Sequence, residues 1–131
     1  MKKIIIGVIL GCALGFCQTS TDVANTHFKN GRFQQSLEHY KKAISEGANR
    51  ALVYFNMANV YFKLEDDLKA ASFYRLSILE HPDFFSSRFN LAALHYNSRR
   101  WSEALSEIKY ALKIKPTHVQ AKLIASQCFQ E

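Results

Sequence analysis

With 131 residues the chain makes one domain, of a size that buries a core without surplus. Its 48% hydrophobic and 21% charged residues are ordinary for a globular domain, and only 2 Pro and 5 Gly disfavour turn-rich β structure. The formal charge of +6 is scattered, as in Lys41-Lys42, Arg99-Arg100 and Lys113-x-Lys115, rather than gathered in a basic stripe, so nucleic acid is not an expected partner.

The first element reads as an address. Met1-Lys2-Lys3 precedes an uncharged apolar run from Ile4 to Phe16, and polar Gln18 to Asp22 follow, in the order of a secretory signal. Thirteen residues reach about 20 Å as a helix, short of the roughly 30 Å of a bilayer core. Gly7, Gly11 and Gly15, at four-residue spacing with no polar face, argue against a buried helix. Residues 1–16 are therefore expected to be a signal peptide, with 17–131 as the mature domain.

Two kinds of cleavage fit. Ala13-Leu14-Gly15 or Gly15-Phe16-Cys17 offers small residues to an ordinary signal peptidase. Ile9-Leu10-Gly11-Cys12 resembles a bacterial lipobox, with Leu10 where a small residue is usual, and bulky Phe16 makes Leu14-Gly15-Phe16-Cys17 a poorer match. Lipidation of Cys12 is slightly favoured, and several acyl chains on one Cys would anchor the protein stably to a membrane. The expected location is the bacterial cell envelope, periplasmic or lipid-anchored. Three cysteines make no disulfide framework, and Cys128 reads as a small core residue.

Helical periodicity then recurs over 20–30, 33–46, 51–64, 67–80, 85–98 and 101–114, and a seventh stretch runs from about 119 to 130. Asn30-Gly31-Arg32 forms a tight turn. Its counterparts Glu65-Asp66-Asp67 and Ser98-Arg99-Arg100 lack the glycine, which weakens the turn signal there, and Asp67 and Ser102 are the expected N-caps. Pro82 and Pro116 stand just past the fourth and sixth helices, where a missing N–H costs little. In the last helix Val119, Leu123, Ile124 and Cys128 recur at helical spacing, as the face that closes the final pair.

These helices repeat every 34 residues. Tyr54-x-x-Met57-Ala58-x-x-Tyr61, Ala70-x-x-x-Tyr74 and Pro82 reappear as Arg88-x-x-Leu91-Ala92-x-x-His95, Ala104-x-x-x-Ile108 and Pro116. Upstream stand Ser20-x-x-Val23-Ala24-x-x-His27, Ser36-x-x-x-Tyr40 and Ala48. The small residues let paired helices approach, and Tyr40, Tyr74 and Ile108 fill the space between pairs. The pattern resembles the tetratricopeptide repeat. The resemblance implies an all-α, right-handed α-solenoid of three helix-turn-helix units, about 17–50, 51–84 and 85–118, with a cap helix at 119–130.

It also implies that the first helix of each pair lines a concave groove that holds a protein or peptide segment. Carried over by position, the lining is Thr21, Asn25, Phe28 and Lys29, then Leu52, Phe55, Asn56, Asn59, Phe62 and Lys63. The third repeat adds Ser86, Phe89, Asn90, Ala93, Tyr96 and Asn97. Asparagines both donate and accept, which suits an extended backbone, and aromatic rings add rigid apolar contact. Members that clamp acidic chaperone tails use Lys and Arg where Thr21, Ser86 and Asn90 stand here, so that clamp is incomplete.

Nothing points to catalysis, a metal or a cofactor. The five histidines lack zinc-site spacing, Glu65-Asp66-Asp67 lacks the further ligands of a calcium loop, and no phosphate loop or nucleophile elbow is present. The expected function is that of an exported adaptor that binds a segment in its groove. Two alternatives remain. One is a structural accessory subunit packing through its end helices, since the second repeat also resembles small envelope repeat proteins linked to aerotolerance. The other is a small-ligand or lipid carrier, which needs an enclosed cavity.

Overall fold

The computed structural model describes residues 18–130, and the expected signal peptide and the Cys12 lipidation site lie outside them. Seven α-helices make up the regular structure among the described residues. They are α1 Ser20–Lys29, α2 Phe33–Ser45, α3 Arg50–Lys63, α4 Asp67–Glu80, α5 Phe85–Asn97, α6 Trp101–Ile114 and α7 Val119–Gln130, each within a residue of the ends that the spacing predicts. The chain forms two compact units, one ending at Glu46 and holding α1 and α2, the other spanning Gly47–Glu131.

In the first unit Thr19 caps α1. Its hydroxyl accepts from the Asp22 N–H at 3.1 Å while the Asp22 carboxylate accepts from the Thr19 N–H at 3.2 Å, a reciprocal box that satisfies two orphan donors. The Thr19 hydroxyl also donates to the Asp22 carboxylate at 2.7 Å, and this bond, then the one from the Thr19 N–H, holds the Asp22 carboxyl below its usual pKa. Ala24 and Ser36 are fully buried where α1 meets α2, and the Ser36 hydroxyl donates to the Ala24 carbonyl at 2.9 Å. A larger residue at either position would force the helices apart.

The second unit repeats the close approach at Ala58 with Ala70 and at Ala92 with Ala104, all fully buried. One apolar cluster joins α3, α4 and α5 through Ala58, Tyr74, Ile78, Leu91 and Leu94. Another joins α5, α6 and α7 through Phe85, Ala92, Ile108, Ala111 and Ala121. Between the two pairs, the buried Ser77 hydroxyl donates to the Ala51 carbonyl at 2.7 Å and lies 2.6 Å from the Ser87 hydroxyl. Arg88 occupies the slot of the signature aromatic. Its guanidinium lies 3.9 Å from the Tyr110 ring and pairs with Glu107 at 2.9 Å, so an aromatic partner and an anion replace the missing ring.

The turns correct the sequence reading. Gly31, Glu65 and Arg99 occupy the same repeat position, and all three are left-handed, with φ of 71°, 59° and 58°. Each turn makes the same pair of bonds. Arg32, Asp66 and Arg100 donate to the carbonyls five residues back at 2.9 Å, and the residues before them donate to the carbonyls three back at 3.0 Å. This Schellman geometry closes every first helix whether or not glycine is present. The N-caps are correspondingly Asp66, whose carboxylate accepts from the Lys69 N–H at 3.1 Å, and Arg100, which makes no side-chain cap bond. Asp67 and Ser102 lie within the first turn instead.

The closing helix also differs from expectation. It buries Ala121 and Cys128 and packs Ile124 and Ala125 against α6 and α5, while Val119 and Leu123 are 77% and 56% exposed. Periodicity alone allowed either face, and the small Ala121 lets α7 come closest to its neighbours. His118 caps this helix, its Nδ1 accepting from the Ala121 N–H at 3.2 Å and its ring packed against Phe85 and Phe89.

Candidate functional site

Helix pairing decides which side chains of α3 and α5 stay accessible. Within the second unit the face of these helices not covered by α4 and α6 carries a cleft of about 150 Å³. Asn59 and Phe62 come from α3, Asn90, Ala93, Leu94 and Asn97 from α5, and Tyr74 of α4 reaches the cleft from beneath. Tyr74 and Leu94 are almost fully buried, whereas Phe62 is 44% exposed.

Hydrogen bonds fix the polar rim. The Tyr74 hydroxyl donates to Asn59 Oδ1 at 2.5 Å, and Asn90 Nδ2 donates to both Asn59 Oδ1 and the Tyr74 oxygen at 3.3 Å. Burial pushes the Tyr74 phenol above its ordinary pKa, against the opposing effect of the Asn90 bond, so at neutral pH it is a donor. In this arrangement Asn59 has its nitrogen left to donate, and Asn90 its carbonyl oxygen left to accept.

The first unit contains the same pair one repeat earlier. The Tyr40 hydroxyl donates to Asn25 Oδ1 at 2.5 Å, and burial raises the Tyr40 phenol as well. In the third repeat the equivalent positions are Ala93 and Ile108, with no polar atom on either side chain. The cleft opens beside Ala93, where the two earlier repeats place an asparagine.

The expected lining residues separate into groups. Asn59, Phe62, Asn90 and Asn97 come together around the cleft, along with Ala93. Phe55 does not join them: it packs against Tyr74 and Phe84, with ring centres 6.0 and 5.4 Å away. Phe89 stacks on Phe85 at 5.7 Å in the cluster beneath α7, and Tyr96 meets the Trp101 ring edge-on at 5.1 Å. Asn56 is half-buried on α3, and Lys63 is exposed at its last turn. Leu52 lines a separate cleft with Asn49, His81 and Phe84. Asn25 and Phe28 lie in the first unit, Phe28 against Phe33 at 5.9 Å.

Tyr74 and Leu94 were not on the expected lining, although the Asn-to-Tyr spacing shared by Asn25/Tyr40 and Asn59/Tyr74 marks the former. α3 and α5 contain no Asp or Glu, while α4 and α6 carry both signs, Asp67, Glu80, Glu103 and Glu107 beside Lys69, Arg75, Lys109 and Lys113.

The histidines serve packing. His95 is 4% exposed, and burial first, then Arg100 and Arg75, hold it below its usual pKa. His27 stacks on His39 at 5.2 Å and accepts from Arg32 through Nδ1 at 3.0 Å. Among the described residues no three His, Cys, Asp or Glu side chains gather where they could hold a metal ion. No described helix is long and apolar enough to cross a membrane.

Comparison with known proteins identifies the repeats. Residues 24–65 match the family model described as TPR repeat, and residues 51–83 match that described as tetratricopeptide repeat. A search of curated proteins finds no match. Among solved structures, the first TPR of Spaghetti (RPAP3) bound to the HSP90 peptide SRMEEVD is similar, with a TM-score of 0.76 at 19% identity over 85% of this chain and 88% of that one. The second TPR domain of human RPAP3, in complex with the HSP70 peptide SGPTIEEVD, gives 0.75 at 21% identity over 86% and 94%. The Arabidopsis OM64 TPR domain gives 0.75 at 18% identity over 86% and 93%.

Proposed function

The chain carries tetratricopeptide repeats in an all-α helical-repeat solenoid fold, and we propose that it is a non-catalytic adaptor that binds an extended protein segment on the open face of α3 and α5. The observation that carries this reading is the hydrogen-bonded pair of amides, Asn59 offering a donor and Asn90 an acceptor beside a cleft of mixed polar and apolar lining. An extended residue presents an N–H and a C=O to the same side, and this pair complements both. The likeness to tetratricopeptide domains with bound peptides supports the same class of partner. A drug-sized ligand or lipid requires several hundred Å³ of enclosure, which disfavours the carrier reading for this cleft.

We further propose, from the sequence of residues 1–22, that the adaptor is exported and works in the bacterial cell envelope, held there by lipid on Cys12. Mass spectrometry of the protein from its native cell should show loss of Met1 to at least Gly11, and Cys12→Ser should release it from membranes. An intact, unmodified N-terminus would end that part of the proposal.

The binding test is crosslinking in the native envelope, identification of the partner, and pull-down with variants. Asn90→Ala with Phe62→Ala should weaken capture at least about tenfold. A second reading, the accessory subunit, has its own observations. Leu68, Leu76 and Leu79 are exposed on α4, where the equivalent positions are Gln34, Lys42 and Ser45 on α2 and Ser102, Tyr110 and Lys113 on α6. Val119, Leu123 and Phe129 are exposed on α7. Capture that survives the groove variant but is lost in Leu68→Glu with Leu79→Glu, or in Leu123→Glu, would favour packing through these helices.

A further inference from the structure

By register α7 is a first helix. Thirty-four residues after Phe85, Arg88, Ala92 and His95 stand Val119, Lys122, Ser126 and Phe129, at spacings of 3, 4 and 3 that put all four on one helix face. On α5 this face is covered by α6: Ala92 and Ala104 are fully buried at the crossing, Arg88 pairs with Glu107 at 2.9 Å, Phe85 shares a cluster with Ala111, and His95 is buried. On α3 it is covered by α4, whose Phe73 ring lies 6.1 Å from Tyr54 and 5.2 Å from Tyr61. On α7 all four side chains are exposed, and among the described residues no helix lies over them. An open cleft of about 570 Å³ adjoins the C-terminal end of this helix, between Cys128 and Trp101 and Leu105 of α6.

We propose that this face is a docking site for one amphipathic helix of a partner protein. That helix pairs with α7 as α6 pairs with α5. It carries a small residue, followed three and four places on by a carboxylate and a large apolar residue.

The chemistry of the partner is read from α6, where Ala104, Glu107 and Ile108 are those three residues. Ser126 takes the place of Ala92, so the incoming backbone can approach closely only with a small side chain opposite. Lys122 takes the place of Arg88, so a carboxylate positioned like Glu107 meets its ammonium. Phe129 offers a ring at one end of the face and Val119 an aliphatic group at the other. The Lys109 ammonium lies 5.4 Å from the Phe129 ring, and α7 contains no Asp or Glu, so the surface favours an acidic visitor. The same charges disfavour a second copy, because two such faces set together oppose Lys122 to a surface without a carboxylate. The site lies apart from the open face of α3 and from the α4 leucines, and its test is separate from theirs.

The probe is a capped peptide with the sequence of α6, residues 101–114, held helical by a lactam joining the positions of Ser102 and Ser106, which are exposed on α6. The lactam lowers the ordering cost of binding. Titration of the isotopically labelled chain is read by two-dimensional NMR, and affinity by anisotropy of a fluorescein-labelled peptide. The backbone signals of Lys122, Ser126 and Phe129 should shift, and the Asn59 and Asn90 side-chain amides should stay in place. Ser126→Arg, which obstructs the close approach, and Phe129→Ala should each weaken binding at least about tenfold. Lys122→Glu should weaken it about tenfold, and a peptide carrying Glu107→Lys should recover most of that loss. Such a recovery marks a direct contact, which a general loss of stability would not produce. Asn90→Ala with Phe62→Ala should leave binding unchanged. Shifts confined to α3 and α5, no binding in the millimolar range, or a Lys122→Glu chain that binds both peptides alike would overturn the proposal. Self-association of the chain alone that Ser126→Arg abolishes would assign the face to a second copy and overturn it as well.

Discussion

Tyr74→Phe separates the hydrogen bonds of the cleft from its shape. The ring stays, so the apolar cluster around Ala58, Ile78 and Leu91 keeps its volume. The hydroxyl goes, and with it one short bond to Asn59 and one longer bond from Asn90. Tyr40→Phe is the internal control, since the Tyr40 hydroxyl makes the equivalent short bond to Asn25. A net bond is worth about 0.5–1.5 kcal/mol, and Tyr74→Phe loses two bonds where Tyr40→Phe loses one. Tyr40→Phe should therefore cost about 1 kcal/mol and Tyr74→Phe about 1.5–2 kcal/mol. For a domain of this size that is a fall in Tm of about 5 °C and about 10 °C. Circular dichroism at 222 nm reads the melting, and NMR reads the Asn59 and Asn90 side-chain amides, which should move in Tyr74→Phe and stay fixed in Tyr40→Phe. Equal losses, or asparagine signals unaffected by Tyr74→Phe, would refute the idea that the phenol locks the rim.

Three further outcomes are expected. Glu65→Gly and Arg99→Gly should each stabilise the chain by up to about 1 kcal/mol in urea unfolding, because the left-handed φ is freely available to glycine and the gain is offset in part by the more flexible unfolded chain. Gly31→Ala should do the opposite. Deleting residues 117–131 removes the cover over Ile108 and Ala111 and should cost a few kcal/mol, seen as a lower Tm and as self-association on size exclusion; an unchanged monomer would show that α7 is not a cap. His95 is held below its usual pKa in the fold, so its contribution is present at neutral pH and is lost as pH falls through the ordinary histidine value toward the depressed one. His95→Tyr should flatten the loss of stability between about pH 7 and pH 5 without abolishing it, because His27 is shifted in the same direction by burial, Arg32 and His39. A pH profile parallel to wild type would exclude that role.

The groove was partly legible. Asn59, Asn90, Phe62 and Asn97 fall together because the register of a 34-residue repeat assigns each position of a first helix to one face, and the register holds. Phe55 and Phe89 share that register yet pack into apolar clusters, since a large ring next to a seam gains more from burial than from exposure. An alanine substitution at Phe89 would therefore test the core rather than the groove. Val119 and Leu123 point outward for a related reason: on a helix with apolar residues on two faces, the neighbouring surface chooses between them, and it chose the small one.

Sequence by itself determined the helices, their pairing and the small residues at each crossing, because periodicity, helix breakers and side-chain size act locally and recur three times. Tertiary structure decided what recurrence cannot express. The Glu65 and Arg99 turns adopt the left-handed conformation without glycine because the helices on either side fix where the chain must go. The cleft exists because packing sets Ala93 and Asn90 of α5 beside Asn59 of α3, and a buried phenol from a third helix reaches its amides. Such groups stand 15 to 31 residues apart in the chain, and only packing sets their distance.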